Sequence, residues 1–250
     1  MLSRRDLLKS VSAAFAFASV AKPADASVES AVEFQPTTTE SGLRYYKPLD
    51  QMKPFHSSNA THRLCSGGNR SGMSLAAAVE TATVATRKNK HPFNILCIGY
   101  DSDYIGRNIY RLLFNDGAFM LTDGRPAPPL IPSHLIQEIH WWNQSQRWFK
   151  RVILKNGTTI YAESSLVTPS CGTQWDFVWI DDWIASDIPA VEATCRIVDR
   201  GGKMVWPTHH GYHSPLRLYM LNQALKGDPR FSHTEIRHPY LYAFNEASCR

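Results

Sequence analysis

None of the five cysteines, Cys65, Cys97, Cys171, Cys195 and Cys249, stands in a Cys-x-x-Cys pair, and an odd number leaves one without a mate. This argues against a disulfide scaffold and a thiolate metal site, and it suits thiols kept reduced where the chain folds. No Gly-x-Ser-x-Gly elbow is present, so a nucleophilic serine of that type is not expected. His209, His210 and His213 have no adjoining acid, and Gly211 would break a helix that aligned them, so they read as loop histidines rather than zinc ligands. There is no internal repeat and no coiled-coil heptad. The small apolar run 10–21 is too short to span a bilayer.

What the chain does contain is a glycine-rich octet, Gly67-Gly68-Asn69-Arg70-Ser71-Gly72-Met73-Ser74. It has every fixed element of the phosphate-binding pattern G-x-x-x-x-G-K-[ST] except the lysine, whose place Met73 takes. In that pattern the glycines let backbone N–H groups converge on phosphates, the lysine reaches the β and γ oxygens, and the hydroxyl coordinates magnesium. Alone, such a run is equally a plain turn, so its flanks decide. His62-Arg63-Leu64-Cys65 reads as a strand entering the loop, and Leu75-Ala76-Ala77-Ala78-Val79-Glu80 as a helix leaving it. A helix N-terminus after a strand and a glycine loop predicts a held anion. Gly67, Gly68, Asn69, Arg70, Ser71, Gly72, Met73 and Ser74 are therefore the candidate ATP-binding residues, with Ser74 a candidate Mg2+ ligand.

The missing lysine has a calculable cost. A hydrogen bond to a charged group contributes about 1.5 to 3 kcal/mol, which is about tenfold to a hundredfold in affinity or rate. Hydrolysis is expected to be weakened further, because the lysine also offsets charge in the transition state. Arg70 is the candidate catalytic substitute, since a guanidinium grips phosphate with two parallel bonds; its bland alternative is a solvated loop cation.

A second element is Trp175-Asp176-Phe177-Val178-Trp179-Ile180 running into Asp181-Asp182. A buried strand ending in a carboxylate at the sheet's carboxyl edge sets that acid beside the phosphate loop. Asp181 is the candidate magnesium ligand, and Asp182 the candidate that orients the attacking water. An exposed acidic turn at a strand end is the alternative.

Between these elements, Phe93 to Tyr100 is a continuous apolar run suited to a central parallel strand, and Asp101-Ser102-Asp103 caps a helix through Ile105, Ile109, Leu112 and Leu113. Pro126, Pro128, Pro129 and Pro132 mark a loop. Asn156-Gly157 between two alternating runs, 151–155 and 158–161, predicts a hairpin. Lys203 to Trp206 reads as a further parallel strand, and Thr234 to Arg237 with Tyr240 to Phe244 as the last. The expected fold is α/β, a P-loop NTPase-like, doubly wound and mainly parallel sheet with helices on both faces.

The order and spacing over residues 45–225 resemble the large terminase subunits that package DNA into tailed-phage capsids. Pro48-Leu49-Asp50-Gln51 with Phe55-His56 and Arg63 resembles the segment before the terminase phosphate loop, where a glutamine reads adenine. Asp181-Asp182 is similar to the family's Asp-Glu pair, and Glu192 to Arg196 with Asp199 to Gly202 to the stretch after it. Val205-Trp206-Pro207-Thr208-His209-His210-Gly211 stands where a threonine-containing motif links hydrolysis to movement, although the family has small residues or proline at the two histidines. The resemblance implies ATP with Mg2+, Gln51 on the base, double-stranded DNA and a portal or small terminase subunit as partners, a homo-oligomer when active, and the host bacterial cytoplasm. It assigns 45–250 to the ATPase-like domain, with no room for the family's nuclease domain.

The amino terminus points elsewhere. Ser3-Arg4-Arg5-Asp6-Leu7-Leu8-Lys9, the small apolar run after it and Ala24-Asp25-Ala26 resemble a twin-arginine signal peptide over 1–26, followed by a linker over 27–44. Such a leader implies export to the periplasm; the alternative is a basic amphipathic start. A terminase-like chain exported away from ATP has no use for the lysine, which would reconcile Met73 with the leader. Net charge is +5 with 27 basic and 22 acidic residues, and loss of the leader would lower it to about +3. Arg87-Lys88-Asn89-Lys90-His91, and Trp141-Trp142 with Arg147 to Arg151, are the basic and aromatic groups that can meet nucleic acid; otherwise they are a solvated helix end and a core edge.

Overall fold

The computed structural model describes residues 40–88, 91–167 and 172–237. The leader 1–26, most of the expected linker, Asn89, Lys90, Cys171, Cys249 and the aromatic segment 240–244 lie outside the described residues.

The chain enters through 3₁₀ turns at Gly42–Arg44 and Asp50–Met52 and the short helix α1 (Lys53–Ser57). Residues 41–44 are tied to the proline loop: Ser41 Oγ donates to the Leu130 carbonyl at 2.8 Å and the Gly42 amide to the Pro129 carbonyl at 2.8 Å. Next come β1 (His62–Gly67), α2 (Met73–Thr86) and β2 (Asn94–Gly99). The helical segment α3 covers 102–114, with a π turn at Ile105–Tyr110 inside it. β3 (Ile136–Asn143), β4 (Trp148–Leu154) and β5 (Thr159–Ser164) follow, then β6 (Phe177–Ile180), α4 (Ile188–Arg196), β7 (Lys203–His209), α5 (Pro215–Leu225) and β8 (Phe231–Ile236).

All eight strands form one sheet in the order β3-β4-β5-β2-β6-β7-β1-β8. The six from β5 to β8 are parallel, and β3 and β4 add antiparallel strands at one edge. The Asn156-Gly157 hairpin forms as expected, with Val152 opposite Ile160. β3 was not foreseen. It is partly exposed and pairs with β4 through register shifts, so its hydrophobic alternation is broken. The last strand starts earlier than expected, at Phe231, and lies parallel beside β1.

Period-two alternation sorts the core into two layers. Cys65, Ile95, Cys97, Phe177, Trp179 and Val205 face α2 and α3, where Ala76, Ala77, Ala82, Ile105, Ile109 and Leu113 meet them. Leu64, Leu96, Ile98, Val178, Met204 and Trp206 face the other way, onto Ala190, Ala193, Leu216 and Met220 of α4 and α5. The fold is thus an α/β sheet with helices on both faces. The buried alanines of α2 bring its backbone close to the sheet. Trp179 is fully buried, and truncating it to alanine would cost about 3 to 5 kcal/mol.

Asp101 caps α3 as expected, its Oδ1 accepting the Tyr104 amide at 2.7 Å. Gly106 in the π turn has no room for a side chain: a β-carbon would come within 1.9 Å of the Gln146 carbonyl oxygen, so the helix rests directly on the β3–β4 turn. Among the described cysteines, Cys65 and Cys97 are buried free thiols. No group of three metal-ligating side chains, and no helix long and apolar enough to cross a membrane, occurs among the described residues.

Candidate functional site

β7 lies between β1 and β6, so the carboxyl ends of these three strands meet at one edge. β1 delivers the glycine loop, β6 delivers Asp181 and Asp182, and β7 delivers Thr208 and His209. Backbone bonds lock the three together. The His210 amide donates to the Gly67 carbonyl at 3.3 Å, and the Asp182 amide to the Pro207 carbonyl at 2.9 Å.

The loop leaves β1 at Gly67 and enters α2 through Gly72, which takes the left-handed φ of 83°. Arg70 is also left-handed at 62°. A β-carbon on Gly67 would lie 2.7 Å from Ser71 Oγ and 2.8 Å from Met73 Sδ. The Met73 thioether is therefore folded back against Gly67, and the side chain packs on the hydrophobic core. Asn69 and Arg70 are exposed, whereas Gly68 and Ser71 are buried.

A cavity of about 450 Å³ opens over this loop, lined by 68–75 together with Asp182, Thr208 and His209 from the neighbouring strands and Asn108 and Arg111 from α3. Two buried hydroxyls on its wall, Ser71 Oγ and Thr208 Oγ1, have no hydrogen-bond partner among the described residues. Thr208 is 1% exposed, so water does not satisfy it from the outside.

Asp181 is fully buried. Tyr104 Oη donates to its Oδ2 at 2.9 Å and Trp179 Nε1 to its Oδ1 at 3.2 Å. Burial pushes its carboxyl up to about 6, against the pull of hydrogen bonds from Ser74 and Tyr104. The Ser74 hydroxyl and the Asp181 carboxylate therefore converge on one point. Asp182 is left-handed at φ 57°, a conformation aspartate tolerates at a sharp turn. Its Oδ1 accepts the His209 amide at 3.3 Å and its carbonyl accepts Trp206 Nε1 at 3.1 Å. Burial raises its carboxyl as well.

A second cavity, of about 480 Å³, adjoins the loop on the other side of Ser71, Gly72 and Leu75. Tyr46, Leu49, Met52 and Phe119 give it apolar walls, and Arg44 and Lys47 give it charge. Gln51 lies outside both cavities: its Oε1 accepts the Arg237 amide at 2.8 Å, tying the 3₁₀ turn to the end of β8.

No sequence-family profile and no curated protein sequence matches the chain. Solved structures do. The large terminase ATPase domain of Thermus phage P74-26 covers 87% of this chain with 91% of its own length, at 17% identity and a TM-score of 0.53. The chain has the fold of a large-terminase ATPase domain. The bacteriophage HK97 large terminase superposes on 76% of the chain, at 10% identity and a TM-score of 0.53, and the match spans 39% of that terminase.

Within this terminase fold the structure brings residues 68–74, Arg70 among them, and Asp182 together around one cavity, with the buried Asp181 behind it, hydrogen-bonded to Ser74. Among the predicted site residues, Gln51, Gly67 and Asp181 do not line that cavity; Gly67 and Asp181 adjoin it and Gln51 lies away from it. Sequence reading missed Tyr104 and Trp179 as partners of Asp181, and Asn108 and Arg111 as walls of the cavity. One signal was available: a helix that starts just after a central parallel strand sits at the carboxyl edge of the sheet, where such folds place their ligands. The basic and aromatic groups divide. Trp141 packs on Tyr110 at 5.3 Å between ring centroids, whereas Trp142 is exposed beneath the Lys150 ammonium, 4.6 Å from its ring.

Proposed function

We propose that the chain is a terminase-like ATPase domain that binds ATP with Mg2+ in the loop cavity and hydrolyses it weakly. The observation that carries this reading is the pair of orphaned hydroxyls, Ser71 Oγ and Thr208 Oγ1, buried in the wall of a cavity roofed by the N-terminus of a 14-residue helix. Buried donors are kept without partners where a ligand satisfies them, and an α-helix start favours a phosphate.

In this reading the backbone amides of 67–74 hold the phosphates, and the base enters the neighbouring cavity, against the wall formed by Tyr46 and Phe119. Gln51 reads the base only if its bond to Arg237 is exchanged. Ser74 and Asp181 present a hydroxyl and a carboxylate, hard oxygen donors that suit magnesium, and their existing hydrogen bond sets both toward one point. When bound there, the ion would neutralise charge on the phosphates. Asp182, facing the same cavity, accepts a hydrogen bond from the attacking water and sets its line of approach. Met73 supplies no charge to the transferring phosphate, and this is why turnover is expected to be slow.

Beyond the nucleotide, we infer a part in viral DNA packaging, with double-stranded DNA and a portal or small terminase subunit as partners, assembly into a homo-oligomer, and work in the host cytoplasm. The fold likeness supports this reading, and the exposed Trp142 and Lys150 offer a contact suited to nucleic acid. A second reading, a nucleotide-binding module without turnover, is favoured by Met73 itself, an uncharged side chain on the cavity wall whose thioether lies against Gly67.

Mg-ATP binding and hydrolysis by the full chain, beside Met73→Lys and Asp181→Ala, test both. Turnover that Asp181→Ala abolishes supports the ATPase. Binding without turnover in the parent, with turnover appearing in Met73→Lys, supports the binding module. Absence of binding in parent and Met73→Lys alike rules out the nucleotide site. Cleavage after Ala26 in cells would redirect the reading to an exported protein.

A further inference from the structure

We propose that Arg111, on α3, supplies the cation that the phosphate loop lacks, gripping the terminal phosphates of the nucleotide from across the cavity. The inference rests on the nucleotide reading above and adds a residue to it.

Three observations lead there. First, the lysine position supplies no cation, because Met73 is uncharged and its thioether lies against Gly67. Second, the cavity over the loop is walled by two arginines, Arg70 within the loop and Arg111 opposite it. Both are exposed, but Arg70 stands on a left-handed residue of the loop itself, and among the described residues no hydrogen bond fixes its side chain. Arg111 stands on a helix, and its Nε donates to the Arg107 carbonyl at 3.2 Å, which fixes the stem while leaving the two terminal nitrogens for a ligand. Among the described residues no carboxylate pairs with it, in contrast to its neighbour Arg107, which is held by Asp103. Third, α3 is itself positioned. Its first turn holds Tyr104 against Asp181, and Gly106 seats its middle on the Gln146 carbonyl. The segment between carries a π turn, a feature that recurs at functional sites.

Charge and shape agree with the role. A guanidinium forms two parallel bonds to phosphate, and a fixed stem reduces the ordering that binding requires. The Asn108 side chain, one turn earlier on the same cavity wall, adds an amide donor. Asp182 lines the same cavity and Asp181 lies buried behind Ser74, so basic and acidic groups both border the site.

The test is a cycle of binding measurements on the full chain with ATP and with ADP, in Mg2+, by calorimetry. Arg111→Ala is expected to weaken ATP binding by about tenfold to a hundredfold, the range for one charge-assisted contact. ADP binding should fall less, and Arg111→Lys should restore part of the loss. The decisive arm repeats Arg111→Ala in the Met73→Lys background. If Arg111 stands in for the lysine, the same substitution there costs only a few-fold. Equal losses in the two backgrounds, or ATP binding by Arg111→Ala that matches the parent, would overturn the proposal while leaving the nucleotide reading intact. If neither the parent nor Met73→Lys binds ATP, the nucleotide reading fails and this one with it. Arg111→Gln, which keeps length and polarity, and a thermal melt of each variant separate loss of charge from loss of fold.

Discussion

The Tyr104 hydroxyl donates to Asp181 Oδ2 at 2.9 Å, joining the first turn of α3 to the fully buried acid at the end of β6. The bond has a consequence for pH. Asp181 titrates near 6 in the folded chain because burial disfavours its charge, whereas in the unfolded chain it is an ordinary aspartate. A raised carboxyl contributes stability that is complete below the unfolded pKa and is lost as pH rises through the folded value. Asp181→Asn should therefore be more stable than the parent at pH 7.5, by about 2 to 3 kcal/mol, with the gap closing toward pH 4. Urea denaturation at a series of pH values measures this. A constant gap at every pH would show that Asp181 is not the group responsible. Tyr104→Phe should lose about 1.5 to 3 kcal/mol at pH 8, where the acid is charged, and less at pH 5.

Glu80 behaves in the opposite sense. Burial works to raise its carboxyl, but His56 Nδ1 at 2.6 Å and Arg63 at 2.7 Å outweigh it and hold it below the ordinary range. That stability is present above the unfolded pKa and is lost as pH falls through the folded one. Arg63 is 2% exposed, so Glu80→Gln strands a buried charge and should cost about 3 to 5 kcal/mol at neutral pH. The cost should shrink in acid, where the parent loses the same interaction. Chemical denaturation at pH 7 and pH 4 distinguishes this from a simple packing defect, which would be indifferent to pH.

Thr208→Val removes a buried hydroxyl that has no partner among the described residues. The nucleotide-free chain should be as stable as the parent or more so, by up to about 1 kcal/mol, because no hydrogen bond is lost. The stabilisation conferred by Mg-ATP should fall in the variant. Thermal melts with and without Mg-ATP give both numbers, and an unchanged nucleotide shift would remove Thr208 from the site.

Gly72 and Gly67 separate backbone from space. A β-carbon at Gly72 meets nothing within 4 Å, so Gly72→Ala should cost only the left-handed backbone, about 1 to 2 kcal/mol. At Gly67 the obstacle is the folded-back Met73 and Ser71. Gly67→Ala should therefore disturb nucleotide binding more than Gly72→Ala at equal loss of stability, as calorimetry set beside denaturation would reveal.

The phosphate loop, the strand into Asp181 and the central strand β2 were legible because each depends on local spacing and unbroken apolar runs. Met73 was visible as a departure, but its packing against Gly67 was not, since that depends on how the loop curls over β8. β3 escaped because its bulged, half-exposed sequence satisfies neither a clean strand nor a clean helix period. Trp179 looked like core, and it is; its indole also reaches an acid two residues on, because residues two apart on an extended strand share one face. Gln51 was assigned by resemblance, and the side chain instead closes on Arg237, a partner 186 positions away that no local pattern announces. Arg111 lay on the polar side of a helix whose apolar face had been read correctly.

The seat of Gly106 on the Gln146 carbonyl gives α3 the properties of a strut. One end bears on the acid of β6, the other reaches over the phosphate loop, and the middle rests without clearance on the turn that joins the two outermost strands. One helix therefore ties the position of that turn to those of Asn108 and Arg111 on the cavity wall and of Tyr104 at the buried acid.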